Sequence, residues 1–242
     1  MEYIKIKGIV CKITEYKESD KILTILTFEK GKMQVVAKGV KKKGAALAHA
    51  ARLFYCGQFE CVCQNNIPIL TGATMIQDYF GLTNKMESLY YASHFMDICS
   101  YFIQEEQPSY DIMSLLLNSL YLLMRNEGDP MLLTAIIQFR LSSIEGAAPI
   151  TDFCVECQKP LDNNCSLCFS LDNDGITCCN NGICISCAVF NAIAHICNAE
   201  ASKIFFFNIP KKDLPVIYDL SCKYIEKIAG KHFEILDRIK EL

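Results

Sequence analysis

Residues 4–43, IKIKGIVCKITEYKESDKILTILTFEKGKMQVVAKGVKKK, put three strand-like runs and a lysine-rich loop into the first sixth of the chain. Alternating and β-branched residues fill 4–13, 22–28 and 33–38. The last two runs are joined by Glu29-Lys30-Gly31-Lys32, a glycine-containing hairpin turn. That is a β-meander. Lys38, Gly39, Lys41, Lys42, Lys43 and Gly44 come directly after it, a basic loop at the rim of whatever the meander closes into. Two more strand candidates, 52–63 and 67–76, flank a turn at Gln64-Asn65-Asn66. Five strands in residues 1–80, broken between the third and fourth, predict an oligonucleotide/oligosaccharide-binding (OB) β-barrel, although small SH3-like barrels share the strand count.

Charge separates this segment from the rest. Residues 1–80 carry twelve Lys/Arg against seven Asp/Glu, and residues 81–242 carry twelve against twenty. A chain of formal net charge −3 has gathered its positive charge in one small β domain, which implies an anionic partner there. Lys21, Lys38, Lys41, Lys42, Lys43 and Arg52 are the candidate phosphate contacts, with a solvated turn as the bland reading of three consecutive lysines. The barrel holds no Trp on which a base could stack, so contact with the backbone fits better than base readout.

A hydrophobic content of 51% and a charged content of 21% describe a globular chain. Lys5, Lys7 and Lys12 interrupt the first apolar run, so nothing there reads as a signal peptide. The longest apolar stretch, 113–124, contains Ser114, Asn118 and Ser119 and is too short to cross a bilayer. These features predict a soluble, cytoplasmic protein with no membrane partner.

From residue 83 the period becomes helical. Asn84 and Glu87 form a capping-box-like start, and Leu89, Ala92, Met96, Cys99 and Ile103 line one stripe before Pro108. A second helix over about 109–125 is apolar nearly all round and is expected to be central in a bundle. Asp129, Pro130 and Gly146 bracket a third. Further helical patterns occupy 188–202, 213–229 and 233–239. The fold class predicted is α+β: an OB-fold barrel over 1–80, then a helical domain over 81–242 with a cysteine-rich insertion at about 150–188.

That insertion holds eight of the fifteen cysteines, at 154, 157, 165, 168, 178, 179, 184 and 187. Without an export signal, such density reads as metal ligation rather than disulfide bonding. Two Cys-x-x-Cys turns each present two sulfurs to one point and close a tetrahedral structural Zn²⁺ site. Cys154, Cys157, Cys184 and Cys187 are the favoured ligands; substitution of Cys165/Cys168, or of Cys178, for part of that set is the alternative. The zinc-deaminase and His-Glu-x-x-His signatures are absent, as are Walker and Rossmann motifs, and the four histidines are dispersed. The chain is therefore not expected to be an enzyme. The remaining cysteines, 11, 56, 61, 63, 99, 197 and 222, sit in apolar runs and are expected to be small core residues.

Several segments together resemble the bacterial RecO recombination mediators. They are Lys7-Gly8-Ile9-Val10, Glu18-Ser19-Asp20-Lys21-Ile22-Leu23-Thr24, Glu29-Lys30-Gly31-Lys32 and Ala37-Lys38-Gly39. Farther on come Phe139-Arg140-Leu141 with Gly146, Pro149, Cys154 and Cys157, and the segment 233–242. The resemblance implies an OB fold, a helical domain and a zinc element. It also implies binding of single- and double-stranded DNA, strand annealing and, with RecR, help to RecA in replacing single-strand-binding protein, in the nucleoid. For Arg140 it implies docking of that protein's acidic C-terminal tail, against a structural reading in which the side chain pairs with Glu145 or Asp97. The departure is Asn181, which stands where the family's fourth metal ligand falls. A zinc-ribbon RNA-binding or regulatory protein is the alternative.

Overall fold

The computed structural model describes residues 2–64, 67–161 and 166–241. The turn at Asn65-Asn66 and Cys165, part of the alternative ligand set, lie outside them. The chain forms two compact units, Met1–Arg125 and Asn126–Leu242.

In the first unit β1 (Glu2–Tyr16), β2 (Asp20–Thr27), β3 (Lys32–Ala37), β4 (Tyr55–Gln64) and β5 (Ile67–Asp78) close into a barrel in the order β1-β2-β3-β5-β4. All pairings are antiparallel except β3 with β5, which meet in parallel at Val36 and Ile69. Closure depends on the length of β1, whose first half pairs with β4 and whose second half pairs with β2. Gly8 sits where both pairings overlap, opposite Thr27 on one side and Gly57 on the other. A Cβ there would run into the Leu26 carbonyl, so the bend needs glycine. Alternate residues point inward, and Ile6, Val10, Leu23, Ile25, Val35, Tyr55 and Phe59 fill the barrel.

Two helices complete this unit, α1 (Met86–Phe102) and α2 (Tyr110–Arg125). The expected capping box at Asn84 does not form: Asn84 ends a 3-10 turn, Phe80–Asn84, and α1 begins after Lys85 with no side-chain cap. Ser109, just before α2, instead donates its hydroxyl to the Thr27 carbonyl of β2 at 2.8 Å.

The second unit is built on α3 (Pro130–Ile144), which starts as expected, with Asp129 accepting from the Met131 N–H at 2.9 Å and Pro130 in the first turn. Gly146 takes φ +76° just past its end. Every residue from Leu133 to Phe139 is buried, so α3 is the helix surrounded on all sides, whereas α2, expected to be central, leaves Tyr121 exposed. A three-stranded sheet comes next, β6 (Leu167–Ser170), β7 (Gly175–Thr177) and β8 (Ile183–Ile185), in the order β7-β6-β8. Then come α4 (Cys187–Asn198), α5 (Leu214–Ala229) and α6 (Ile235–Lys240). Phe139, Phe169 and Tyr224 meet at 5.5 to 6.2 Å between ring centres and join α3, β6 and α5 in one core. Outside the insertion, Cys56, Cys61, Cys99, Cys197 and Cys222 are buried, and Cys11 and Cys63 are half-buried.

Candidate metal centre and nucleic-acid interface

The metal-binding candidate is assembled by β7. Gly175 of that strand bridges in parallel to Ile150, and the Val155 N–H donates to the Ile176 carbonyl at 3.0 Å, so the chain after α3 lies along the outer edge of the sheet. Gly175 permits this approach, since a Cβ would collide with the Val155 side chain and the Ile150 carbonyl. The segment then turns at Cys154–Cys157, where the Gln158 N–H returns to the Cys154 carbonyl at 2.9 Å and Gln158 takes φ +61°. Cys178 and Cys179 leave the end of β7 next to this turn. The sulfurs of Cys154, Cys157, Cys178 and Cys179 all lie within 4.8 Å of one another, a group that could hold a metal ion.

The geometry suits a closed thiolate site. A regular tetrahedron with Zn–S bonds of about 2.3 Å has S···S edges of about 3.8 Å. Here Cys154 and Cys179 are 3.9 Å apart, and Cys157 and Cys178 are 3.6 Å apart. Burial pushes the Cys154 thiol up, but the N–H groups of Cys157, Cys178 and Glu156 and the Thr177 hydroxyl outweigh it and bring it down to about 5. Contact with Cys157 and then Cys154 pushes Cys178 up to about 12, and burial followed by the same two neighbours raises Cys179. Sulfurs this close cannot all carry charge unless a cation sits among them.

The expected ligand set is thus brought together only in its first half. Cys184 lies in β8, opposite Cys168 of β6, with sulfurs 3.1 Å apart, and Cys187 is the first residue of α4. The reason is the strand order. The Cys154 turn lies along β7, β8 pairs with the other edge of β6, and β6 stands between them. Sequence reasoning passed over Cys179; the signal was two adjacent cysteines, Cys178 and Cys179, directly after a strand that starts at Gly175.

On the barrel, the segment 38–54 is a chain of hydrogen-bonded turns, with Lys42 N–H to the Gly39 carbonyl and Ala45 N–H to the Lys42 carbonyl, both at 3.1 Å. It is tied to the β1–β2 turn through Lys41 N–H to the Ser19 carbonyl at 3.1 Å and Gly39 N–H to the Asp20 carboxylate at 2.8 Å. The Gly39 N–H holds the Asp20 carboxyl below its ordinary value. Lys38, Lys41, Lys42 and Lys43 are exposed and Lys21 is half-buried. Two of the six expected cations already have partners. Lys41 pairs with Glu15 at 2.6 Å, and Arg52 pairs with Asp78 at 2.7 Å while its guanidinium lies 4.9 Å over the Phe80 ring.

Among the described residues of the second unit, Arg140 finds its partners in the backbone of α4 and not in Glu145. Its Nη1 donates to the carbonyls of Cys197 at 2.9 Å and Ile196 at 3.3 Å, capping the last turn of α4. No helix among the described residues is long and apolar enough to cross a membrane.

Comparison with known proteins covers both units. The family model described as "Recombination protein O N terminal" matches residues 1–79, and "Recombination protein O C terminal" matches residues 84–234. A DNA repair protein RecO from Caldicellulosiruptor saccharolyticus is 32% identical over 244 residues, covering 99% of each chain. One from Acetivibrio thermocellus is 29% identical over 248 residues, covering 100% of this chain and 98% of that protein. One from Bacillus subtilis is 30% identical over 175 residues, covering 72% and 67%. With a barrel of the expected topology, a helical second unit and both halves matched, the chain belongs to the RecO family of DNA repair proteins.

Proposed function

We propose that this chain is a non-catalytic recombination mediator. It binds single- and double-stranded DNA through the rim of its barrel, anneals complementary strands and, with RecR, helps load RecA onto DNA coated with single-strand-binding protein. The observation that carries the reading is the turn-built basic loop: Lys38, Lys42 and Lys43 stand exposed on a backbone held by hydrogen bonds to the β1–β2 turn. A fixed array of cations meets a phosphate backbone without first being ordered, and it takes any sequence alike. Lys41 and Arg52 join only by leaving Glu15 and Asp78, so they contribute less. Lys21 adds charge from β2.

Cys154, Cys157, Cys178 and Cys179 hold a structural Zn²⁺, whose charge lets all four sulfurs ionise together. Four thiolates leave no open position, so the metal fastens the loop after α3 to β7 and takes no part in chemistry. Arg140 stands at the end of α4 with donors beyond those spent on Ile196 and Cys197, and it receives the terminal carboxylate of the single-strand-binding protein's tail. The protein works in the cytoplasm, at the nucleoid.

A strand-annealing assay tests this function. Complementary DNA strands, bare or coated with single-strand-binding protein, should anneal faster with the protein, and a matched RNA pair should respond weakly. No acceleration on DNA overturns the proposal, and acceleration confined to RNA favours an RNA-binding regulator.

A further inference from the structure

Four of the eight clustered cysteines converge beside β7 as the metal candidate, and Cys168 and Cys184 stand apart from it as a pair. They are directly opposed across β6 and β8, whose register matches Leu167, Cys168 and Phe169 with Ile185, Cys184 and Ile183. Directly opposed residues of antiparallel strands have Cα atoms about 4.5–5.5 Å apart, inside the range of about 4.4–6.8 Å that a disulfide bridges. The backbone therefore already supplies the separation. The two sulfurs lie 3.1 Å apart, closer than the 3.6 and 3.9 Å found among the four converging thiols, and one thiol donates to the other sulfur. On the other side of β6, Cys168 faces Thr177 of β7, whose hydroxyl lies 3.5 Å from the Cys154 sulfur. Thr177 thus stands between the pair and the metal candidate.

We propose that Cys168 and Cys184 form a thiol-oxidation site, which closes to a reversible intrachain disulfide by exchange with a small-molecule disulfide such as oxidised glutathione. Cys184 is exposed and Cys168 buried, which fixes the order of events. Cys184 gives up its proton and attacks the glutathione disulfide, forming a mixed disulfide and releasing one glutathione, which takes up that proton. Cys168, 3.1 Å away, then loses its own proton and attacks the Cys184 sulfur, so the second glutathione leaves with it. Two protein thiols are oxidised by two electrons, and one glutathione disulfide is reduced to two glutathiones. Burial, with the neighbouring Cys184 sulfur next, pushes Cys168 up to about 11, so it waits as the thiol while Cys184 meets the oxidant. Because the two sulfurs are already in contact, the second step is intramolecular and outruns attack by a free thiol. The product links β6 covalently to β8, which runs through Ser186 into the start of α4.

The full chain is equilibrated at neutral pH in glutathione buffers running from reduced to oxidised, alkylated, and digested with chymotrypsin without reduction. Phe169 and Leu171 lie between the two cysteines, so cleavage there separates them unless a bond joins them. Mass spectrometry is expected to find the peptides of Cys168 and Cys184 linked in the oxidised buffers, with no glutathione left on either, and separate again after dithiothreitol. Cys168→Ser should instead keep glutathione on Cys184. Both thiols still alkylated in the most oxidised buffer, glutathione retained on Cys184 of the unsubstituted chain, or a link from Cys184 to any other cysteine overturns the proposal. The mapping of the unsubstituted chain decides it whether or not the variant folds, and whether or not Cys154, Cys157, Cys178 and Cys179 hold zinc.

Discussion

Arg140 shows how a residue with a structural task can be open to a second. Its guanidinium gives two hydrogen bonds to the carbonyls that end α4, charge-assisted contacts that an alanine there would remove. Arg140→Ala should therefore lower stability by about 1–3 kcal/mol, the usual range for losing charged hydrogen bonds from a half-buried site. Arg140→Lys should recover part of that loss. Chemical unfolding of both variants measures it; an Arg140→Ala protein as stable as the parent would mean the α4 cap is idle. If the proposed tail docking also holds, Arg140→Ala weakens an acidic-tail peptide in fluorescence anisotropy and leaves bare-DNA binding intact. Sequence alone placed Arg140 beside an apolar stripe and left two readings, an acid for a partner or the docking of an acidic tail. The carbonyls it caps come from residues 196 and 197, a partnership that depends on how α4 packs and that no spacing rule reports.

Among the elements, β7 carries the metal candidate although it is only three residues long. Gly175→Ala places a methyl against Val155 and the Ile150 carbonyl, where there is no room for one. It should cost about 1–3 kcal/mol and loosen zinc, because the 150–155 segment can no longer lie on the strand. Equal zinc affinity in the variant, read by competition with a chromogenic chelator, would show that the strand does not shape the site. α6 has a pH-dependent fastening. His232 lies 2.7 Å from Asp237 of α6 and 2.7 Å from Glu226 of α5. Its hydrogen bond to Asp237, with the charge of Glu226 next, raises its pKa above the ordinary value. A raised pKa means the imidazolium stabilises the folded form fully below about pH 6.5, and this contribution is lost as pH rises through the folded pKa. Hydrogen exchange of the α6 amides, corrected for intrinsic rate, should show weaker protection on the alkaline side, and His232→Gln should remove the difference. Identical protection on both sides in the parent protein would contradict this. The strands of the barrel were legible in the sequence because alternation and turn residues are local signals, and α3 because Asp129, Pro130 and Gly146 mark its ends. The convergence of the four sulfurs was not legible: Cys-x-x-Cys spacing is also local, whereas whether Cys178/Cys179 or Cys184/Cys187 comes to lie beside Cys154 and Cys157 is set by the order β7-β6-β8, a long-range pairing.

On the scale of the molecule, the division of charge has a structural counterpart. The excess of Lys/Arg in residues 1–80 belongs to the barrel, and the excess of acids belongs to residues 81–242, which carry the helices and the cysteine-rich sheet. The matching families divide in nearly the same place, at 79 and 84, whereas compactness divides the chain after Arg125, because α1 and α2 fold with the barrel. A DNA-binding account that rests on the barrel predicts a specific dependence on salt. Each phosphate neutralised on duplex DNA contributes about 0.9 to the slope of log affinity against log salt. The direct test is that slope, measured by anisotropy on duplexes of unrelated sequence, for the parent and for Lys42→Ala/Lys43→Ala. The account predicts weaker binding to every sequence alike and a slope reduced by up to about 2 in the double variant. An unchanged affinity and slope would contradict it and move the DNA off the basic loop.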